Sequence, residues 1–250
     1  MDNNESVRAY ISKWHAAWPE QDVLDVFIPV SDRQLCSVWG ALLFEMHQSL
    51  FGLEHESVRE AKCQWWSQEL LAMPTQSARH PLTRFLQTHE AVFEGMATPF
   101  LRLVDLVPVK AGQTKGLFEV LSPWAEAVAT CEANLFRGSA NQADKTAVIG
   151  QWLTMRLPEG LTAFDCAMVP MHLQARHQTL VNDKPSTALR RDWINELMAN
   201  LEDKHPSNWY RLAQQQFTLK RLDALLNRDT AKIGPGHAWV AWRALRSRQS

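Results

Sequence analysis

The chain has 250 residues, 46% of them hydrophobic and 21% charged. That content supports a sizeable core and excludes disorder as the resting state. Lys and Arg number 26 against 27 Asp and Glu, a formal net charge of −1, so no field of one sign points to nucleic acid as a partner.

The spacing predicts a first helix over residues 4–17, stopped before Pro19, and then a loop through Pro29. Ser31 offers an N-cap with Gln34 as its reciprocal partner, opening a helix from Asp32 to Phe51 that Gly52 ends. Leu35, Val38, Leu42, Met46 and Leu50, with Trp39 beside them, form a stripe at helical spacing, wide enough for a central buried helix. The next helix runs from Glu56 to Met73, and Pro74 breaks it. Val58, Ala61 and Trp65 share a face, which predicts Trp65 buried, with Trp66 and Leu70 alongside. Pro81 suits the first position of a helix reaching Gly95. A shorter helix covers Phe100–Val107, and a long one, kinked at Pro123, covers Leu117–Phe136. Ala143–Leu157 is helical and is stopped by Pro158 and Gly160; residues 159–185 are less regular. Ser186–Leu201 and Ser207–Asn227 are helices, the second with Ser207 as N-cap. A last basic amphipathic helix covers His237–Arg248. Strand-like alternation is rare, and no linker is long enough to divide the chain. Residues 1–250 therefore read as one all-α domain.

Cys36, Cys63, Cys131 and Cys166 are far apart and form no C-x-x-C, which suits reduced thiols and a cytoplasmic protein. The opening Met1-Asp2-Asn3-Asn4-Glu5 is too polar for a signal peptide, and no run of 18 apolar residues suggests a transmembrane segment. The 11 Trp and 10 Phe against 2 Tyr fit either a Trp-rich core or an aromatic-lined apolar pocket. His172 and His177, five apart, share no helical face and lack the companions of a zinc site. Arg243, Arg246 and Arg248, with Trp239 and Trp242, allow two readings of the last helix. It rests on an anionic membrane surface, a peripheral contact, or it packs its Trp residues on the body and leaves the Arg residues solvated.

Lys62-Cys63-Gln64-Trp65-Trp66-Ser67-Gln68-Glu69-Leu70, followed by His80-Pro81-Leu82, resembles the Trp-Trp, Glu-Leu and His-Pro segment of the squalene/phytoene synthase family, the head-to-head prenyl synthases. Phe27-Ile28-Pro29 leading through Arg33 into the apolar helix is similar to the family's approach to its first core helix. Ala143–Leu157 followed by Val169-Pro170 resembles the helix of the second aspartate motif and the loop after it. The resemblance implies the all-α isoprenoid synthase fold: helices around a deep apolar cavity that takes prenyl chains. On it, Trp39, Leu42, Met46, Trp65, Trp152 and Met155 are candidates to line the cavity.

Catalytic relatives carry two D-x-x-x-D motifs. Carboxylates at i and i+4 share a helical face, bind Mg²⁺ and so neutralise a diphosphate leaving group. Here the resemblance puts the first pair at His47 and Phe51, and the second at Met155 and Glu159 with Pro158 between. No Asp has another Asp four residues away; the acidic pairs at that spacing are Glu56/Glu60, Glu90/Glu94 and Asp192/Glu196. Glu45, mid-helix, reads either as a residual metal or substrate ligand, or as a buried carboxylate paired with an arginine such as Arg84 or Arg102.

Two functions follow as expectations. In the first, the protein is catalytically inactive and binds an apolar ligand, such as a prenyl chain, or a protein partner in an assembly role. It needs no cofactor, and its cavity is partly filled. The family includes such members, among them a mitochondrial factor for respiratory-complex assembly. In the alternative, it is an active prenyl-diphosphate transferase with an atypical Mg²⁺ site, and the degenerate positions Glu45, His47 and Glu159 are the residues to examine.

Overall fold

The structure, a computed structural model, describes residues 3–53, 55–106, 110–159, 161, 165, 168–177, 186–228 and 235–246. Twelve α-helices and no strand occur among them. These are α1 (Asn3–Ala17), α2 (Glu20–Phe27), α3 (Val30–Phe51), α4 (Glu56–Ala72), α5 (Pro81–Leu86) and α6 (Ala97–Leu106). They continue as α7 (Thr114–Leu135), α8 (Gln142–Thr154), α9 (Met171–Arg176), α10 (Thr187–Leu201), α11 (Trp209–Arg228) and α12 (Pro235–Arg246). Short 3₁₀ turns lie at Phe93–Met96 and Leu157–Glu159.

From Cys36 to Phe51, α3 is buried on nearly every side, as a helix must be that is apolar all round. Helices α1, α4 and α5 pack on it; α8 lies between α7 and α11; α6 bridges α4 and α7; and α12 covers α11 and α2. One hydrophobic cluster runs through them from Val7 to Ala244. Close approach is set by small residues. A Cβ on Gly40 would lie 2.5 Å from the Trp14 indole nitrogen, so only glycine admits that ring between α1 and α3.

Several boundaries differ from the sequence reading, each for a local reason. Residues 20–27, read as loop, form α2. Pro19 precedes the helix, Glu20 and Asp22 favour its first turn, and Leu24 anchors it in the core. Helix α3 starts at Val30 straight after Pro29 without a side-chain cap; Ser31 Oγ donates to Asp32 instead, at 3.0 Å. Helix α5 stops at Leu86, well short of Gly95. Helix α6 begins at Ala97 with Pro99 inside its first turn, where the missing N–H costs nothing. Helix α7 is helical straight through Pro123.

Capping fixes the later helices. Asn141 and Asp144 form a reciprocal capping box on α8. The cap of α11 is Asn208, whose side-chain oxygen accepts from the Tyr210 N–H at 2.9 Å. Ser207, expected there, instead donates its hydroxyl to Asp144 at 2.8 Å.

In α4 the buried face is Arg59, Cys63, Trp66, Ser67 and Leu70. Val58 is 51% exposed and Trp65 is half-buried. The expectation for Trp65 is thus off by one residue, roughly 100° of helix. Trp66 is the buried tryptophan, and its indole N–H donates to Ser49 Oγ on α3 at 2.9 Å.

Candidate functional site at the junction of α3 and α8

The ends of α3 and α8 meet, so the two places where the resemblance puts metal-binding aspartates are neighbours. Of the four positions, His47 and Phe51 are aromatic and pack with Trp152 of α8. His47 is fully buried one turn before the end of α3, and its Nε2–H donates to the Trp152 carbonyl at 3.0 Å. That carbonyl belongs to the last turn of α8, whose final C=O groups lack helical partners. The rings of His47 and Phe51 lie 4.7 Å apart. Trp152 meets both edge-on, at 5.6 and 5.8 Å. Trp124 of α7 packs on Trp152 at 4.8 Å, and Phe100 of α6 on Trp124 at 5.3 Å. The result is a continuous aromatic column from α3 to α6.

Burial pushes the His47 imidazole down to about 3, helped by the positive charge of Arg156. The ring is therefore neutral near pH 7. Arg156 itself pairs with Asp165, Nε to Oδ1 at 2.9 Å and a second nitrogen to Oδ2 at 3.3 Å. A pocket lined by Phe51, Trp152, Leu153, Arg156 and Met168 reaches the column and holds about 20 Å³, room for one water. Met155 is half-buried beside it. Glu159 lies in the 3₁₀ turn, and its side chain is outside the described residues.

A hard cation such as Mg²⁺ takes oxygen ligands. Among the described side chains the positions offer an imidazole already engaged with a carbonyl, a phenyl ring and a thioether, and the nearby carboxylate of Asp165 is engaged by arginine. These residues do not fit the metal. Among the described residues no three His, Cys, Asp or Glu side chains gather into a potential cation site.

Glu45 faces elsewhere, because residues two apart on a helix lie roughly 200° apart. It is 5% exposed and its carboxylate meets Lys13 Nζ of α1 at 2.6 Å. The expected arginine partner is therefore a lysine.

A side chain lining a cavity wide enough for water carries accessible surface. Trp39, Leu42 and Met46 carry none. They pack directly against neighbours, and the Trp39 indole N–H donates to Glu132 Oε1 at 2.8 Å. Trp152 is buried in the column and Trp65 is half-buried on α4.

The Trp-Trp, Glu-Leu and His-Pro segment works as a brace. Glu69, 1% exposed, uses one carboxylate oxygen to accept from the N–H groups of Arg79 and His80 at 2.5 and 2.6 Å. The same oxygen accepts from the Thr83 hydroxyl at 2.7 Å. The carboxylate thus holds the start of α5 in place. The His80 ring then lies against Tyr10 at 4.6 Å, Trp66 at 4.8 Å and Trp65 at 5.9 Å. Burial lowers its pKa.

Sequence reasoning missed the buried polar centre. Glu132 of α7 forms an ion pair with Arg211 of α11, both essentially without exposure. Arg211 also donates to Gln151 Oε1 at 2.6 Å. Gln151 donates to Gln214, and Gln214 to Gln21, each at 3.0 Å. Every member has a partner, as groups withdrawn from water require. One signal was available: the inward face of α11 reads Arg211, Gln214, Gln215, Thr218 and Arg221, polar where a bundle helix is ordinarily apolar. His172 of α9 and His177 just past its end, which could not form a zinc site, instead pair with Glu196 at 2.7 Å and Asp192 at 2.9 Å on α10.

The molecule is a helical protein of the isoprenoid synthase fold. It is similar to the crystal structure of a dehydrosqualene synthase in complex with ligand, with a TM-score of 0.63 over 99% of each chain and 11% identity. No family model matches the sequence, and no curated protein matches it.

Proposed function

We propose that this chain is a non-catalytic protein of the isoprenoid synthase fold that acts by binding a partner on its surface. The observation that carries the reading is the column of His47, Phe51 and Trp152 where the α3 and α8 motifs meet. Ionising an allylic diphosphate places negative charge on the leaving group, and catalysis needs a preorganised positive field there. A neutral imidazole and a phenyl ring supply none. The same column leaves about 20 Å³, whereas sites for small molecules ordinarily occupy about 300–1,000 Å³. That disfavours a prenyl chain as a resident ligand at this junction and leaves a protein partner on the surface as the reading.

Calorimetric titration with farnesol and with farnesyl diphosphate, each with and without Mg²⁺, tests the reading. The expected result is no binding of either. Equal, Mg²⁺-independent binding of both would replace the partner role with an apolar-ligand role. A Mg²⁺-dependent preference for the diphosphate contradicts the proposal and restores the transferase alternative.

A further inference from the structure

Helix α12 has two faces of different chemistry at the same spacing. His237, Ala241 and Ala244 turn inward and are buried. Trp239, Arg243 and Arg246 stand on the outward side at i, i+4 and i+7 and are exposed, Trp239 at 58%. The tryptophans do not both pack on the body, which is one of the two arrangements the sequence allowed. Trp239 stacks on the half-buried Trp242 at 4.8 Å, and the Arg246 guanidinium lies over the Trp242 ring at 4.4 Å. The aromatic pair therefore stands stacked at the surface. Beside it, between α11 and α12, runs a groove of about 270 Å³ lined by Leu212, Gln216, Val240, Arg243 and Ala244.

The charge is as one-sided as the shape. The segment Pro235–Arg246 contains two arginines and no acid, in a chain of net charge −1. A Cβ on Gly236 would lie 2.8 Å from Lys220 Nζ, so a third cation sits at the helix start. Among the described residues none of Lys220, Arg243 and Arg246 has a carboxylate partner.

From this geometry we infer that α12 docks the protein on an anionic lipid surface. Trp239 enters the headgroup–acyl boundary, where an amphipathic indole is favoured. Arg243 and Arg246 meet lipid phosphates. No helix among the described residues is long and apolar enough to cross a membrane, so the contact is peripheral and reversible.

Flotation of the full chain with vesicles tests this. One set is phosphatidylcholine alone; the other is phosphatidylcholine and phosphatidylglycerol in equal parts. The expected result is recovery on the second set, little on the first, and loss as salt rises. Removing each arginine, as Arg243→Gln or Arg246→Gln, should weaken binding by about five-fold. Trp239→Ala should weaken it further, while Arg243→Lys with Arg246→Lys should retain it. These side chains are exposed, so each variant should stay folded, which thermal melting followed by circular dichroism checks. Equal recovery on both vesicle sets, no recovery on either, or wild-type binding by the Gln and Ala variants overturns the inference. The salt and lipid dependence of the wild-type chain decides it even where a variant folds poorly.

Discussion

His47 gives up hydration for a single hydrogen bond to the Trp152 carbonyl, and that exchange has a measurable consequence. Its pKa falls from an ordinary 6.5 to about 3 in the folded protein. Below pH 6.5 the unfolded chain takes up a proton that the folded chain refuses. The stability gained by keeping the ring neutral is therefore complete above pH 6.5 and is lost as pH falls towards 3. At about 1.4 kcal/mol per pH unit, the full effect is of order 5 kcal/mol. The lowered pKa of His80 acts in the same direction. Urea denaturation at pH 7 and pH 4.5 should show a large acid loss in the wild type and a clearly smaller one in His47→Gln, whose amide can still donate to the carbonyl. Parallel pH curves for the two proteins would mean that the imidazole is not held neutral. At this scale the sequence was legible in kind and not in detail. Glu45 as a paired, buried carboxylate was within reach, but its partner Lys13 comes from another helix, and no local spacing encodes that. Trp65 and Trp66 could not be told apart, because the choice depends on which face of α4 meets α3, where Trp66 reaches Ser49.

Elements were legible where periodicity is long. The span of α3 and its burial all round follow from its composition, and α10 starts one residue inside its predicted range with Ser186 as its cap. Short elements were legible only in part: Pro81 opens α5 as expected, but its early end and the whole of α2 were not readable, since these helices offer too few turns for a face to be recognised. Their positions depend on tertiary contacts, and for α5 the contact is Glu69. Its carboxylate accepts from two backbone N–H groups and one hydroxyl. Hydrogen bonds to a charged group contribute about 1.5–3 kcal/mol each, and donors left unsatisfied in a buried place cost about as much again. Glu69→Ala should thus destabilise the protein by about 3 kcal/mol or more, read as a lower urea midpoint at unchanged slope. A loss under about 1 kcal/mol would show that the α4–α5 brace does not depend on that carboxylate. The motif that carried the family resemblance most strongly is therefore explained by architecture. It preserves how α4, α5 and α1 meet around His80, and it is informative about fold while saying nothing of catalysis.

At the scale of the whole molecule, the all-α fold was readable because helical periodicity, proline punctuation and the motif segment agree. The interior was not. Whether a bundle encloses a cavity or fills it depends on which side chains from distant helices converge. The column of His47, Phe51, Trp152, Trp124 and Phe100 draws on α3, α8, α7 and α6, and the Glu132–Arg211 centre on α7 and α11. The proposal of a non-catalytic protein rests on the described residues where α3 and α8 meet, which, in a fold shared with a dehydrosqualene synthase, present an aromatic cluster in place of metal ligands. Its most direct test is pyrophosphate release from farnesyl and geranylgeranyl diphosphate in Mg²⁺. The expected release equals that of the no-protein control for both substrates. Release above that control, abolished by EDTA, would contradict it.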